Sequence, residues 1–144
     1  MPGYYTEPIR SYRKAHDVMT RKGRQTVRIN GTYWARAVRL GWSTWLVASA
    51  SEGPAWYGIL LHDTVVVRFS RPDGDTAHVS FTCGGWVTLT TLQTMQKYSP
   101  ERIGVSGRHI HNSKREGHIY VRLDEGDDHD LAANGGRVTV GLAV

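Results

Sequence analysis

Thr64-Val65-Val66-Val67-Arg68-Phe69-Ser70, then Arg71-Pro72-Asp73-Gly74-Asp75, then Thr76-Ala77-His78-Val79-Ser80-Phe81-Thr82 is the stretch that decides the fold. Two runs rich in β-branched and aromatic residues flank a segment in which proline and Asp-Gly preset the backbone angles of a reversal. That pattern predicts an antiparallel hairpin. Side chains alternate along a strand, so Val65, Val67 and Phe69 are expected on one face with Val66 and Arg68 on the other. Ala77, Val79 and Phe81 should likewise oppose His78 and Ser80.

The same pattern continues outward in both directions. Toward the N-terminus, 26–29, the pair Asn30-Gly31 and 32–40 predict a second hairpin, because Asn-Gly supplies the positive φ angles of a type I′ turn. Strands over 42–48 and 56–61 follow, separated by 49–55, where Gly53 and Pro54 cannot continue a ladder. Toward the C-terminus, Gly84, Gly85, Trp86 and Val87 are expected to begin a short strand. Thr90 or Thr91 then caps a helix of about two turns over 92–98, stopped by Ser99 and Pro100, with Leu92, Met95 and Tyr98 packing onto the sheet. Alternation returns over 102–105, 108–112, 118–123 and 137–144, with a polar turn at 113–117 joining the middle pair and an acidic loop at 124–130. No repeat of fixed period occurs, so neither a propeller nor a solenoid is supported.

Residues 1–25 differ from the rest. They carry Arg10, Arg13, Lys14, Arg21, Lys22 and Arg24 against only Glu7 and Asp17. Ile9, Tyr12, His16 and Met19 recur at steps of three and four, and Pro8 suits a first helical turn, so this segment reads as a basic arm or a short amphipathic helix ending near Gly23. Residues 26–144 read as a single β-rich domain. The expected architecture is α+β and β-rich: a curled antiparallel sheet, barrel-like or sandwich in form, with one short central helix and a basic N-terminal segment.

At 144 residues the chain is long enough for one core. Eighteen Lys and Arg against thirteen Asp and Glu give a formal charge of +5, which attracts polyanions such as nucleic acid. Cys83 is the only cysteine, so neither an intrachain disulfide nor a cysteine zinc site can form, and a reducing compartment fits. No run approaches the roughly eighteen apolar residues of a membrane span, and no signal-peptide pattern follows Met1, so a cytosolic protein is expected. Neither a P-loop nor a dinucleotide fingerprint is present, and no cofactor is expected.

The stretch Leu61-His62-Asp63-Thr64-Val65-Val66, followed by Gly84-Gly85-Trp86-Val87-Thr88-Leu89-Thr90-Thr91, resembles a family of small uncharacterised proteins encoded by tailed bacteriophages. The resemblance covers roughly residues 44–100. It implies an origin in a phage or prophage, and so the cytoplasm of a bacterial host, and it brings no activity, cofactor or catalytic residue. Within the motif, paired glycines permit close approach or a bulge that re-aims Trp86, and the threonines can cap the following helix. His62 and Thr64 are expected on one strand face, within reach of each other in a structural role.

Several constellations bear on chemistry. His109, His111 and His118 sit on the two arms of one expected hairpin, with His109 and His111 sharing a face. They would supply metal ligands, or the acid and base of a metal-independent ribonuclease or phosphodiesterase with Lys114 or Arg115 holding the phosphate. The bland reading is a half-exposed sheet surface. His62-Asp63-Thr64 and His78-Val79-Ser80 resemble the paired tripeptides of two-histidine phosphoesterases, but a single hairpin separates them and the duplicated fold of that family is missing. Cys83 falls in a buried strand region, where a packed thiol is expected rather than a nucleophile. Asp127, Asp128, His129 and Asp130 lack calcium-loop spacing and read as a solvated turn.

The basic and aromatic residues give the preferred function. Arg28, Trp34 and Arg36 lie on expected strands beside Tyr33, Arg39, Trp42 and Trp45, so one set of rings can enter the core while another stacks on bases. With the arm residues they compose a nucleic-acid surface; the competing expectation is that Trp34, Trp42, Trp45 and Trp56 all build the core. A host or virion protein partner, met by an exposed sheet edge or aromatic patch, is the alternative.

Overall fold

The computed structural model of the protein describes residues 3–29, 33–110 and 117–143. Helix α1 (Tyr12–Lys22) leads into β1 (Gln25–Ile29), β2 (Tyr33–Arg39), β3 (Thr44–Ala48), β4 (Trp56–Leu61), β5 (Thr64–Ser70) and β6 (Thr76–Thr82). Helix α2 (Leu89–Tyr98), β7 (Ile103–Arg108), β8 (His118–Leu123), β9 (His129–Asp130), a 3-10 turn at Ala132–Asn134 and β10 (Arg137–Ala143) complete the chain. Strands β1 to β6 pair in sequence order, and β10 returns to pair with β6, giving a seven-stranded antiparallel sheet; β7, β8 and β9 form a second sheet. The β-rich antiparallel architecture is the expected one. The large sheet does not close, however: it runs from β1 at one edge to β10 at the other, and a second helix and a second sheet accompany it.

The deciding hairpin forms as expected. Asp73 and Thr76 exchange backbone hydrogen bonds at 2.8 and 3.1 Å, and Gly74 takes φ +61° between them. The alternation across β5 is different. Ile59 pairs with Val67 but Leu60 with Val65, so Val66 is an extra residue, a β-bulge. Val66 and Val67 therefore both face the main core together with Phe69, whereas Val65 faces the opposite side with Arg68.

The main core lies between the large sheet, the two helices and the small sheet. Phe69, Phe81, Ile59, Leu46, Met95, Tyr98, Ile119 and Leu131 are buried there. Helix α1 and the segment before it are part of this core: Ile9, Ala15, Val18 and Met19 are at most 1% exposed, each large side chain contributing roughly 1.5–3 kcal/mol. Its N-cap is Ser11, whose hydroxyl accepts from Lys14 N, so Pro8 precedes the helix rather than opening it. Tyr12 donates to Pro54 O at 2.7 Å and His16 Nδ1 lies 2.7 Å from Tyr57 OH, pinning the helix to the sheet at its polar margin.

A second apolar cluster occupies the other face. Ile29, Ala35, Ala37, Val47, Leu60 and Val65 all come from β1 to β5, with Val27, Trp45 and Trp56 packed around them. Ala37 and Val47 are fully buried under side chains of their own sheet, which therefore curls toward this face. Small residues make the curl fit: a Cβ on Gly58 would sit 2.9 Å from the Trp56 ring.

Candidate functional site

The motif residues converge. The β4–β5 hairpin turns on His62 and Asp63, with His62 at φ +54° and its N–H donated to Ser43 O at 2.9 Å, so His62 belongs to a turn and not to a strand face shared with Thr64. Gly84 and Gly85, at φ +59° and +81°, form a tight turn closed by Trp86 N donating to Cys83 O at 2.9 Å; they do not begin a strand. The helix that follows is capped by Thr88, whose hydroxyl accepts from Thr91 N, and not by Thr90 or Thr91, and α2 is correspondingly longer. These segments enclose a cavity of about 570 Å³ with buried Leu61, Val66 and Cys83 at its floor and His62, Asp63 and Thr64 along one wall. Trp86, Thr88 and Leu89 form the other. Cys83 is a packed core thiol, as expected.

The histidine constellation is described only in part. Strand β7 ends at Arg108, and it is this strand, not 108–112, that pairs with β8, Arg108 opposite His118. His109 lies beyond the strand in a left-handed conformation at φ +55°, exposed to solvent. His111, Lys114 and Arg115 fall outside the described residues, as does the Asn30-Gly31 turn. His118 is engaged: its Nδ1 lies 2.9 Å from Asp130 Oδ2, while Asp130 Oδ1 accepts from Ala132 N. A carboxylate at Nδ1 fixes that nitrogen as the protonated one and orients the ring. Tyr120 stacks on His118 at 6.0 Å, and the Arg108 guanidinium lies 5.6 Å from the Tyr120 ring. Among the described residues no group of three His, Cys, Asp or Glu is placed to hold a metal.

The basic residues are partly gathered. Arg28 is the register partner of Trp34, and Thr26 of Arg36, all on the sheet face that carries α1. Arg36 donates from Nε to Gly23 O at 2.9 Å, tying the middle of β2 to the end of α1, beyond which Trp34 stands 67% exposed beside exposed Arg28. Lys22 and Arg24 flank that joint and, with Tyr4, Tyr5 and Arg39, line a cleft of about 400 Å³ with no carboxylate among the described residues of its lining. Tyr4 covers the Arg39 guanidinium at 5.3 Å, and Trp45 lies at the same distance. Arg10, Arg13 and Lys14 sit at the other end of α1. Arg10 donates to Lys97 O and Lys14 pairs with Glu7 at 3.7 Å, while Arg21 is matched by Asp17 at 2.8 Å.

The tryptophans divide between the two expectations. Trp45 and Trp56 pack on the second apolar cluster, whereas Trp34 and Trp42 are exposed, Trp42 by 82% in the β2–β3 turn rather than on a strand. What sequence reasoning missed is the Arg68–Trp56 stack at 4.1 Å: alternation put Arg68 opposite Phe69, as found, but not the pairing of Arg68 with Gly58 that brings Trp56 beside it. Among the described residues no helix is long and apolar enough to cross a membrane. No protein-family model matches the chain, and no curated protein or solved structure matches it at a significant level.

Proposed function

We propose that this is a non-enzymatic phage accessory protein that binds nucleic acid along the β1–β2 edge of its large sheet, acting in the cytoplasm of the host. The observation that carries the reading is the strip Lys22, Arg24, Arg36, Arg28 and Trp34: cations and one solvent-facing indole in a continuous track. Phosphates meet the cations and an unpaired base stacks on Trp34, a contact worth roughly 1–3 kcal/mol by truncation. The phage assignment is supported by the Leu-His-x-Thr and Gly-Gly-Trp-x-Thr-x-Thr-Thr residues. The test is fluorescence anisotropy with labelled single-stranded and duplex oligonucleotides over a salt series. Affinity should fall steeply with salt, and Arg28→Ala with Lys22→Ala should flatten the slope by about 0.7 for each single-strand phosphate contact removed. Absence of binding at low salt, or Trp34→Ala and Arg28→Ala binding as tightly as the wild type, overturns the reading.

A second reading, binding to a host or virion protein, is favoured by Trp86 and Leu89, 52% and 40% exposed at the rim of the motif cavity. Capture of one defined partner that Trp86→Ala abolishes, with no oligonucleotide binding, would support it in place of the first.

A further inference from the structure

The strands of the large sheet contain five arginines, Arg28, Arg36, Arg39, Arg68 and Arg137, and not one Asp or Glu. Most of these cations are accounted for: Arg36 bonds a helix-end carbonyl, Arg39 bonds Gly41 O and Trp42 O, and Arg28 stands in solvent. Arg68 is not. It is half-buried, its Nε is fully buried with no hydrogen-bond partner, and no carboxylate pairs with it among the described residues. Such a donor is costly to leave unmade, and more so on a charged group. Burial, then the nearby Arg137, pushes the guanidinium below its ordinary range, yet arginine remains charged at neutral pH.

Its surroundings supply what an anion needs. Ser80 is the register partner of Arg68, Thr139 of Ser80, and Arg137 of Thr82, and all of them alternate with core residues so that they share the face away from the main core. Ser80 Oγ and Thr139 Oγ1 lie 3.0 Å apart, and Arg137 Nε donates to Thr82 Oγ1 at 3.2 Å. Two guanidiniums on β5 and β10 thus flank a row of hydroxyls on β6, with Trp56 stacked under the first at 4.1 Å and fixing its plane. From this arrangement we infer that the face formed by β5, β6 and β10 binds a phosphate group between Arg68 and Arg137, with the Ser80–Thr139 hydroxyl pair supplying one further donor. The guanidinium fork matches two phosphate oxygens at once, and an anion there removes the mutual repulsion of the arginines. This site lies apart from the β1–β2 strip and does not rest on it.

A buried Nε–H exchanges slowly with water, so its NMR resonance is the direct probe. Titration of the full-length protein with inorganic phosphate should shift the Arg68 Nε–H signal saturably, where matched chloride does not. Arg68→Lys removes that signal and assigns it; Arg137→Gln, at an exposed position, should weaken the phosphate response roughly tenfold or more, as loss of a charge-assisted hydrogen bond implies. A parallel titration with a short single-stranded oligonucleotide identifies the source. A shift with both ligands makes the site part of a nucleic-acid surface, and a shift with phosphate alone makes it a site for free phosphate or a phosphorylated small molecule. An Arg68 signal that moves with neither, or that moves equally with chloride, overturns the inference, as does an Arg137→Gln protein with an unchanged response. Trp34→Ala, which disables the edge strip, should leave the phosphate response intact, so failure of one proposal is separable from failure of the other.

Discussion

A Cβ built on Gly84 would meet Thr64 Oγ1 at 2.7 Å, and the residue already holds φ +59°. Both penalties apply to Gly84→Ala, which should lower unfolding stability by roughly 1–3 kcal/mol in chemical denaturation. Gly85→Ala provides the contrast: at φ +81° but with open space where its Cβ would go, it should lose only about 1 kcal/mol. Tyr98 makes a separate prediction. Burial pushes its hydroxyl up to about 12, above the ordinary value near 10, so the folded state keeps a proton that the unfolded chain releases first. Its contribution to stability is complete below pH 10 and is lost as pH rises toward 12, and tyrosinate absorbance with a matched denaturation series should show both. The paired glycines beside Trp86 signalled a close approach or a bulge in the sequence, and both take the positive φ that glycine adopts without steric cost. The partnerless Nε of Arg68 was not legible there, because it depends on which side chains of neighbouring strands pack around the guanidinium.

Turn chemistry was the legible part at the level of elements. Pro-Asp-Gly marked the β5–β6 reversal and Ser-Pro the end of α2, since these residues restrict the backbone whatever surrounds them. Propensity misplaced what depends on partners: Gly84 to Val87 looked extended yet forms a turn, and 108–112 alternated yet β7 pairs earlier, where Val105 and Ile103 reach the core. The start of α2 is likewise one threonine among three, decided by which hydroxyl faces the open N–H of residue 91. Thr88→Ala should therefore cost about 1 kcal/mol, read from thermal unfolding. Thr90→Ala, at an exposed position that caps nothing, should fall within about 0.5 kcal/mol of wild type.

For the whole molecule, the sequence reading separated the first 25 residues from the rest on charge, while the structure places Ile9, Ala15, Val18 and Met19 in the main core. Their apolar stripe was visible at steps of three and four; that it would fill a gap over β2, β3 and β4 was not, because nothing local records the distance between elements. Deleting residues 1–23 should remove on the order of 5 kcal/mol of burial, comparable to the total stability of a small domain. Loss of the cooperative transition in calorimetry is the expected result. The bulge in β5 carries a different consequence, for insertions and deletions. Loss of any one of Val65, Val66 and Val67 yields the same shortened strand, Thr-Val-Val-Arg-Phe-Ser, in which every remaining side chain keeps its side of the sheet. A single codon missing from that triplet costs one buried methyl pair and a kink, whereas a codon missing at Arg68 or Phe69 would turn part of the strand inside out.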